Sequence, residues 1–353
     1  MKKPIKIGLV GIGRAGWGMH AEELKSRTDK FQFVAACDII EERRDKMKDR
    51  YNCKIYERIE DLICDPDVEL VSIATRSNDH FNHATMALKA GKDVLLEKPM
   101  CETYEQAKKL KELGSREGGP RLYVRHNRRF EENFMKIQKI IASKILGDVY
   151  EIHISRNSFN RRTDWQTIKE FGGGQLLNWG PHIIDQSLQF LQSPVKSLFG
   201  DLKHVVAAGD CEDHLTISFL GENGRTIHMQ ISGGVARKCP DYIVYGTKGY
   251  LELLGNTMQM KYIDPDQVLP DPVADPGTPG QTFGSAGTFQ SAEEIHWIEK
   301  TEEWKQENPT VIWDYLYDSI RNGIPFPISL EEAVKVLWVI SEVKKDTKFE
   351  KQI

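Results

Sequence analysis

The apolar run Ile5–Val10 ends on Gly11-Ile12-Gly13-Arg14-Ala15-Gly16, and that junction restricts the fold more than any other stretch of the chain. A strand that stops at glycines with this spacing turns sharply, lets another group approach its backbone, and opens a helix. The amides at the positive end of that helix are suited to a pyrophosphate. The pattern therefore predicts a parallel α/β sheet at the start of the chain. A dinucleotide would lie at its rim, held by Gly11, Ile12, Gly13, Arg14, Ala15 and Gly16.

The following residues extend the same architecture. Strand-like runs over 33–37, 68–74, 94–96 and 122–124 alternate with helix-like runs from Gly16 and over 41–51, 81–90 and 104–117. Regular alternation predicts a doubly wound parallel sheet occupying residues 1–125. After Arg125 the texture changes. A helix over 131–144, a strand over 149–156 and a helix over 182–191 precede closely spaced strand-like runs over 215–220, 226–232, 242–245, 250–254 and 258–262. Spacings this short leave no room for crossover helices, so a large, mostly antiparallel open sheet is expected. It would belong to a second α/β domain, residues 126–353, completed by helices over 313–322 and 330–345. The stretch from Asp264 to Gly287, rich in Pro, Gly and Asp, reads as a long surface loop.

Charge and cysteine usage exclude several functions. A chain of 353 residues with net charge -4 and no basic stripe is not built to hold nucleic acid or an anionic membrane. Cys37, Cys53, Cys64, Cys101, Cys211 and Cys239 lack Cys-x-x-Cys spacing, so neither a disulfide framework nor a zinc knuckle is expected. Met1-Lys2-Lys3-Pro4 leads directly into the first strand without an apolar leader, and no stretch is long enough to span a bilayer. The expected location is the cytoplasm.

Three places at strand ends carry polar groups. Asp38 closes the second strand, where an acidic side chain hydrogen-bonds an adenosine ribose and repels a 2′-phosphate, so NAD is expected over NADP. Arg43 and Arg44 read as a solvated helix face. Thr75, Asn78 and His80 follow the third long strand and fall on the next rim loop, beside the cofactor, whereas His83 reads as a surface residue. Glu97-Lys98-Pro99 closes the run Val94-Leu95-Leu96, which puts Lys98 at a strand end facing whatever the sheet holds.

Taken in order, the glycine turn, the Thr75-x-x-Asn78-x-His80 loop, Glu97-Lys98-Pro99 and the segment Gly172-Gly173-Gly174 to Asp185 resemble the Gfo/Idh/MocA oxidoreductases. The resemblance reaches Gly323-Ile324-Pro325-Phe326-Pro327 and so spans nearly the whole chain. It implies a Rossmann domain followed by an α/β domain that shapes the substrate site and often joins subunits. It implies Lys98 at the nicotinamide and substrate hydroxyl, with Glu97 on the cofactor side. It also implies His182 and Asp185 from an Asp-x-Gly-x-His-x-x-Asp segment, whose first acid is here Asn178. Asparagine forms hydrogen bonds but carries no titrating proton, which leaves Lys98, His182 or a water relay to take the hydroxyl proton.

The same resemblance points to Arg162 and Trp165, within Arg161-Arg162-Thr163-Asp164-Trp165, as substrate contacts, the alternative being a structured loop in which Asp164 pairs an arginine. It places further contacts among Arg125, His126, Asn127 and Arg128 at the domain junction, of which Arg125 and Asn127 are taken. Metal catalysis is not expected, because His80, His83, His126, His182 and Asp185 lack a ligand spacing. The implied activity is hydride transfer between NAD(P) and a secondary hydroxyl or ketone of a sugar, cyclitol or related polyol. The alternatives are a redox-neutral, NAD-retaining glycoside-processing enzyme and an NAD-binding sensor. A homodimer or homotetramer is expected, since a large open sheet face is costly to leave bare.

Overall fold

The computed structural model describes residues 2–274, 276, 294–303 and 309–350. Its first sheet contains β1 (Ile5–Val10), β2 (Phe31–Cys37), β3 (Lys54–Tyr56), β4 (Leu70–Ile73), β5 (Asp93–Leu96) and β6 (Leu122–Val124), in the order β3-β2-β1-β4-β5-β6. All neighbours are parallel. The π-helical turn Gly16–Ala21 continues into α1 (Glu22–Leu24), and α2 (Glu41–Tyr51), α3 (Ile59–Cys64), α4 (His80–Lys89) and α5 (Tyr104–Gly114) provide the crossovers. Every residue of β4 is buried, as expected of a strand covered on both faces.

The second sheet is formed by β7 (Val149–Asn157), β8 (Val195–Lys203), β9 (His214–Gly221), β10 (Thr226–Ser232), β11 (Tyr242–Gly246), β12 (Gly249–Leu254), β13 (Thr257–Ile263) and β14 (Trp297–Glu303). Their order is β14-β13-β12-β11-β7-β10-β9-β8. Only the β7–β10 pair is parallel, so the sheet is mostly antiparallel, as its short connections require. Side chains alternate with period two. Leu215, Ile217 and Phe219 of β9 and Ile227, Met229 and Ile231 of β10 are buried in a core shared with α6 (Glu132–Ala142), α8 (Gly180–Leu191) and α10 (Leu330–Lys344). Phe134 of α6 meets Phe190 of α8 edge to face, with ring centroids 4.7 Å apart. The opposite face presents partly exposed polar side chains, among them Thr216, Ser218, His228 and Gln230.

The helix α9 (Ile312–Asn322) crosses the expected division at 125/126. Its Ile312, Trp313 and Leu316 are buried with Ile5, Ile7, Leu9 and Phe31 of the first sheet. The Trp313 and Phe31 rings lie 5.6 Å apart. Of the expected loop over 264–287, residues 275 and 277–287 lie outside the described residues. Among the described residues, no helix is long and apolar enough to cross a membrane.

Candidate active site between the two sheets

The strand order sets the geometry of the site. Asp38 follows β2, Gly11 follows β1, Thr75 lies just past β4, and Glu97 and Lys98 follow β5, so these residues succeed one another along one rim of the sheet. Three inter-strand steps separate the Asp38 end from the Lys98 end, about 14 Å at roughly 4.8 Å per step. The chain reverses direction across the sheet between β1 and β4, the switch point at which doubly wound sheets hold ligands.

Two glycines make the turn after β1 possible. Gly11 has φ +87°, and a Cβ there would stand 2.7 Å from the carbonyl oxygen of Ala74. A Cβ on Gly16 would lie 2.0 Å from the carbonyl oxygen of Gly11. Asp38 fastens this turn: its Oδ2 accepts the Ile12 amide at 2.7 Å and its Oδ1 accepts the Ile40 amide at 2.9 Å. The two arginines expected on a solvated face both turn toward it. Arg44 donates to the Asp38 carbonyl at 2.7 Å, and Arg43 Nη1 lies 3.5 Å from Oδ2.

A cleft of about 1390 Å³ runs along the rim and is lined on the far side by residues from beyond 125. Gly11, Gly13, Arg14, Ala15, Asp38, Thr75, His80, Glu97 and Lys98 line it from the rim of the first sheet. Asn127, Arg162, Trp165, Asn178 and His182 line it from beyond residue 125. The glycine turn, the carboxylate past β2 and the length of this rim fit an extended dinucleotide.

Lys98 joins the end of β5 to the segment that leads into α8. Its Nζ donates to the backbone carbonyl of Asn178, in the single turn α7 (Gln175–Asn178), at 2.9 Å. Burial brings its pKa down to about 8; Glu97 opposes the shift, while Arg128, Arg14 and Arg125 add to it. His182, at the start of α8, is pushed well below the usual imidazole range, first by burial and then by Lys98, Arg128, His126 and Arg125. Its Nδ1 is buried without a protein partner. At neutral pH the cleft thus presents a neutral imidazole beside an amine that titrates just above neutrality.

Behind Lys98 lies a buried ionic cluster. Glu97 Oε1 accepts from His20 Nε2 at 2.9 Å and from Arg125 Nη1 at 2.8 Å. Arg125 Nη2 reaches Glu23, which also accepts from the Trp313 indole, both at 2.6 Å. Burial alone would raise the Glu97 pKa, but Arg125, His20 and Lys98 outweigh it and hold the carboxyl well below its ordinary range.

Five expected contacts do not line the cleft. Arg125 is fully buried in the Glu97 cluster, and Asp185 is a buried partner of Arg129, accepting from its Nε at 3.0 Å. The arginine of this junction that lines the cleft is instead Arg128, whose guanidinium lies 4.3 Å from the Trp179 ring. Ile12 and Gly16 support the glycine turn from behind, and the buried Asn78 Oδ1 has no hydrogen-bond partner. His80 lines the cleft, but its ring braces the loop: Nδ1 lies 2.6 Å from the Pro99 carbonyl and Nε2 3.2 Å from that of Thr75. Arg162 donates to both oxygens of Asp164, at 3.0 and 2.9 Å, and also bonds Gln166.

Sequence reasoning missed Trp179, Gln166 and Asn160 in the cleft wall and His20 behind it. Trp179 follows Asn178 directly, so it was within reach. His20 gave no local signal, because its importance comes from Glu97, 77 positions away.

Family comparison agrees with this geometry. Residues 5–126 match an oxidoreductase family with an NAD-binding Rossmann fold, and residues 134–252 match the Gfo/Idh/MocA C-terminal domain. The scyllo-inositol 2-dehydrogenase (NADP(+)) IolW of Bacillus subtilis is 27% identical, covering 99% of this chain and 95% of its own. The uncharacterised oxidoreductase C26H5.09c of Schizosaccharomyces pombe is 30% identical, with 80% of this chain and 77% of that one covered. A solved NAD-binding protein from Listeria innocua is 26% identical, with a TM-score of 0.79 over 97% of this chain and 94% of its own. The chain belongs to the Gfo/Idh/MocA family of NAD(P)-binding oxidoreductases.

Proposed function

We propose that the protein is an NAD-dependent dehydrogenase that oxidises a secondary hydroxyl of a cyclitol, sugar or related polyol, and reduces the ketone in reverse. The observation that carries this reading is Lys98, a buried amine at the end of β5 whose Nζ donates to the Asn178 carbonyl and whose pKa is brought down to about 8. The bound nicotinamide supplies a hydride acceptor. What this chain must supply is orientation and a route for the hydroxyl proton.

Lys98 Nζ takes that proton in our reading. An amine whose pKa falls to about 8 is partly deprotonated at physiological pH and is a stronger base than an imidazole held well below its usual range. His182, being neutral, hydrogen-bonds the substrate oxygen and fixes which hydroxyl faces the cofactor. The Asn178 carbonyl aims the amine, and the Asn178 side chain forms part of the substrate wall. Trp165 offers an apolar face for a ring, and Arg162, Asn127 and Arg128 offer donors to substrate oxygens.

The cofactor preference rests on Asp38. Its carboxylate is fixed by two backbone amides at the adenosine end of the rim, and a 2′-phosphate there would meet a negative charge. The inositol-oxidising relative uses NADP(+), so both cofactors belong in the test. A panel of inositols, aldoses and polyols with NAD or NADP, followed by reduced-nicotinamide absorbance, is expected to give turnover favouring NAD. Clear NAD binding with no turnover on any member counts against the reading.

A further inference from the structure

On the face of the second sheet opposite the helices α6, α8 and α10, two histidines and a glutamate stand together. His153 of β7 and His228 of β10 are direct partners in the parallel register, so both project from the same face. Their ring centroids are 5.0 Å apart. Glu151 lies two residues before His153 on the same strand and therefore on the same face, its Oε1 2.6 Å from His153 Nε2. Among the described residues, this is the one group of His, Cys, Asp and Glu whose ligand atoms converge, all within 4.8 Å of one another.

We propose that Glu151, His153 and His228 form a binding site for a divalent transition-metal ion of the zinc class. Two imidazoles and one carboxylate are a donor set suited to zinc, with a fourth position left for water. Tetrahedral zinc with bonds of about 2.0–2.2 Å needs ligand atoms about 3.3 Å apart, so even the widest separation has to close by only about 1.5 Å.

Two neighbours prepare the ligands. Ser218 of β9 pairs with His228 in the antiparallel register, and its Oγ lies 2.8 Å from His228 Nδ1. A Nδ1 proton donated to that oxygen leaves the Nε2 lone pair free for the metal, the usual arrangement around a ligating histidine. On the other side, the Tyr245 ring stands edge-on to His153, centroids 5.6 Å apart, and limits how that ring turns. Within the single chain the side chains of Glu151 and His153 are 33% and 38% exposed. A simple Glu151–His153 hydrogen bond accounts for those two residues but gives no role to His228 held by Ser218.

The test uses the full chain, stripped of metal with a chelator, and titrated with Co²⁺ by visible absorption and with Zn²⁺ by calorimetry. One equivalent of either ion is expected, with the intense cobalt bands of a four-coordinate site, and no comparable uptake of Mg²⁺ or Ca²⁺. His228→Gln and the double variant His153→Gln/His228→Gln should abolish binding, and Ser218→Ala should weaken it by about tenfold or more. All are only partly buried, and unchanged circular dichroism without metal checks the fold. No uptake by the wild type, or equal uptake by the double variant, overturns the site.

Discussion

The ammonium nitrogen of Lys98 lies 2.9 Å from the backbone carbonyl of Asn178, so one side chain from the end of β5 is anchored by the turn that precedes α8. Lys98 therefore reports on chemistry and on the relative placement of the two sheets. Replacing it with Met keeps the alkyl packing and removes the amine. Turnover of any accepted polyol is expected to fall by about 10²–10⁴, the usual contribution of a general base. NAD binding, followed by fluorescence quenching, is expected to change little, because the glycine turn and Asp38 are untouched.

The pH profile separates the two candidate bases. Lys98 is active as a base when deprotonated, and its pKa is brought down to about 8. For polyol oxidation, log kcat/KM is expected to rise with pH and level off above about 8, since that ratio reports the free enzyme. His182, held well below the ordinary imidazole range, would be deprotonated throughout that window and would produce no such rise. A flat profile from about pH 7 to 9 would assign the proton to His182 or to a water relay.

Glu97 tests the buried cluster through stability. Glu97→Gln leaves Arg125, which is completely buried, without one of its two carboxylate partners. Removing one member of a buried ion pair costs about 3–5 kcal/mol, so a large drop in denaturation midpoint is expected. The pH dependence has a definite sign. The folded-state pKa of Glu97 lies below its ordinary value of 4.5, so its stabilisation is complete above 4.5 and is lost as pH falls toward the depressed folded value. Wild-type stability should decline with acid over that window, and Glu97→Gln should flatten this part of the decline in urea titrations.

Asp38 tests cofactor choice. Asp38→Ser removes the charge and also loosens the Ile12 and Ile40 amides that the carboxylate holds. The ratio of kcat/KM for NAD to that for NADP should fall, with Arg43 beside the site to receive a 2′-phosphate. An unchanged ratio would place the discrimination elsewhere.

How far the sequence was legible depended on burial. Strands covered on both faces, such as β1 and β4, announced themselves as continuous apolar runs, and β9 and β10 alternated because one face is buried. The strands missed, β3, β8 and β14, all lie at sheet edges. An edge strand has one neighbour, and β14 (Trp-Ile-Glu-Lys-Thr-Glu-Glu) carries the charges that discourage further pairing, so its pattern resembles a loop. The candidate site divides in the same way. Gly11, Asp38 and Lys98, each set by a local turn at a strand end, line the cleft. Arg125 and Arg128 are only three residues apart, and which of them reaches the cleft was decided by Glu23, Glu97 and Trp179, through contacts that no local spacing encodes.

Asn178 offers the sharpest test of proton handling. Its backbone oxygen accepts from Lys98, its side chain lies within 3.4 Å of Gln166 Nε2, and both side chains line the cleft. Asn178→Asp keeps the size and adds a negative charge on the residue that touches the amine. An opposite charge this close favours the ammonium, so the Lys98 pKa is expected to rise from about 8. The rise in log kcat/KM should move to higher pH in the variant, with lower activity near neutrality and recovery in more alkaline buffer. If the introduced carboxylate itself became the base, the opposite would occur: activity would increase at neutral pH and the profile would flatten, because a carboxylate is already ionised there. The direction of the shift therefore decides whether this chain relies on the low pKa of Lys98 in place of the acid usual at this position, or merely tolerates its loss.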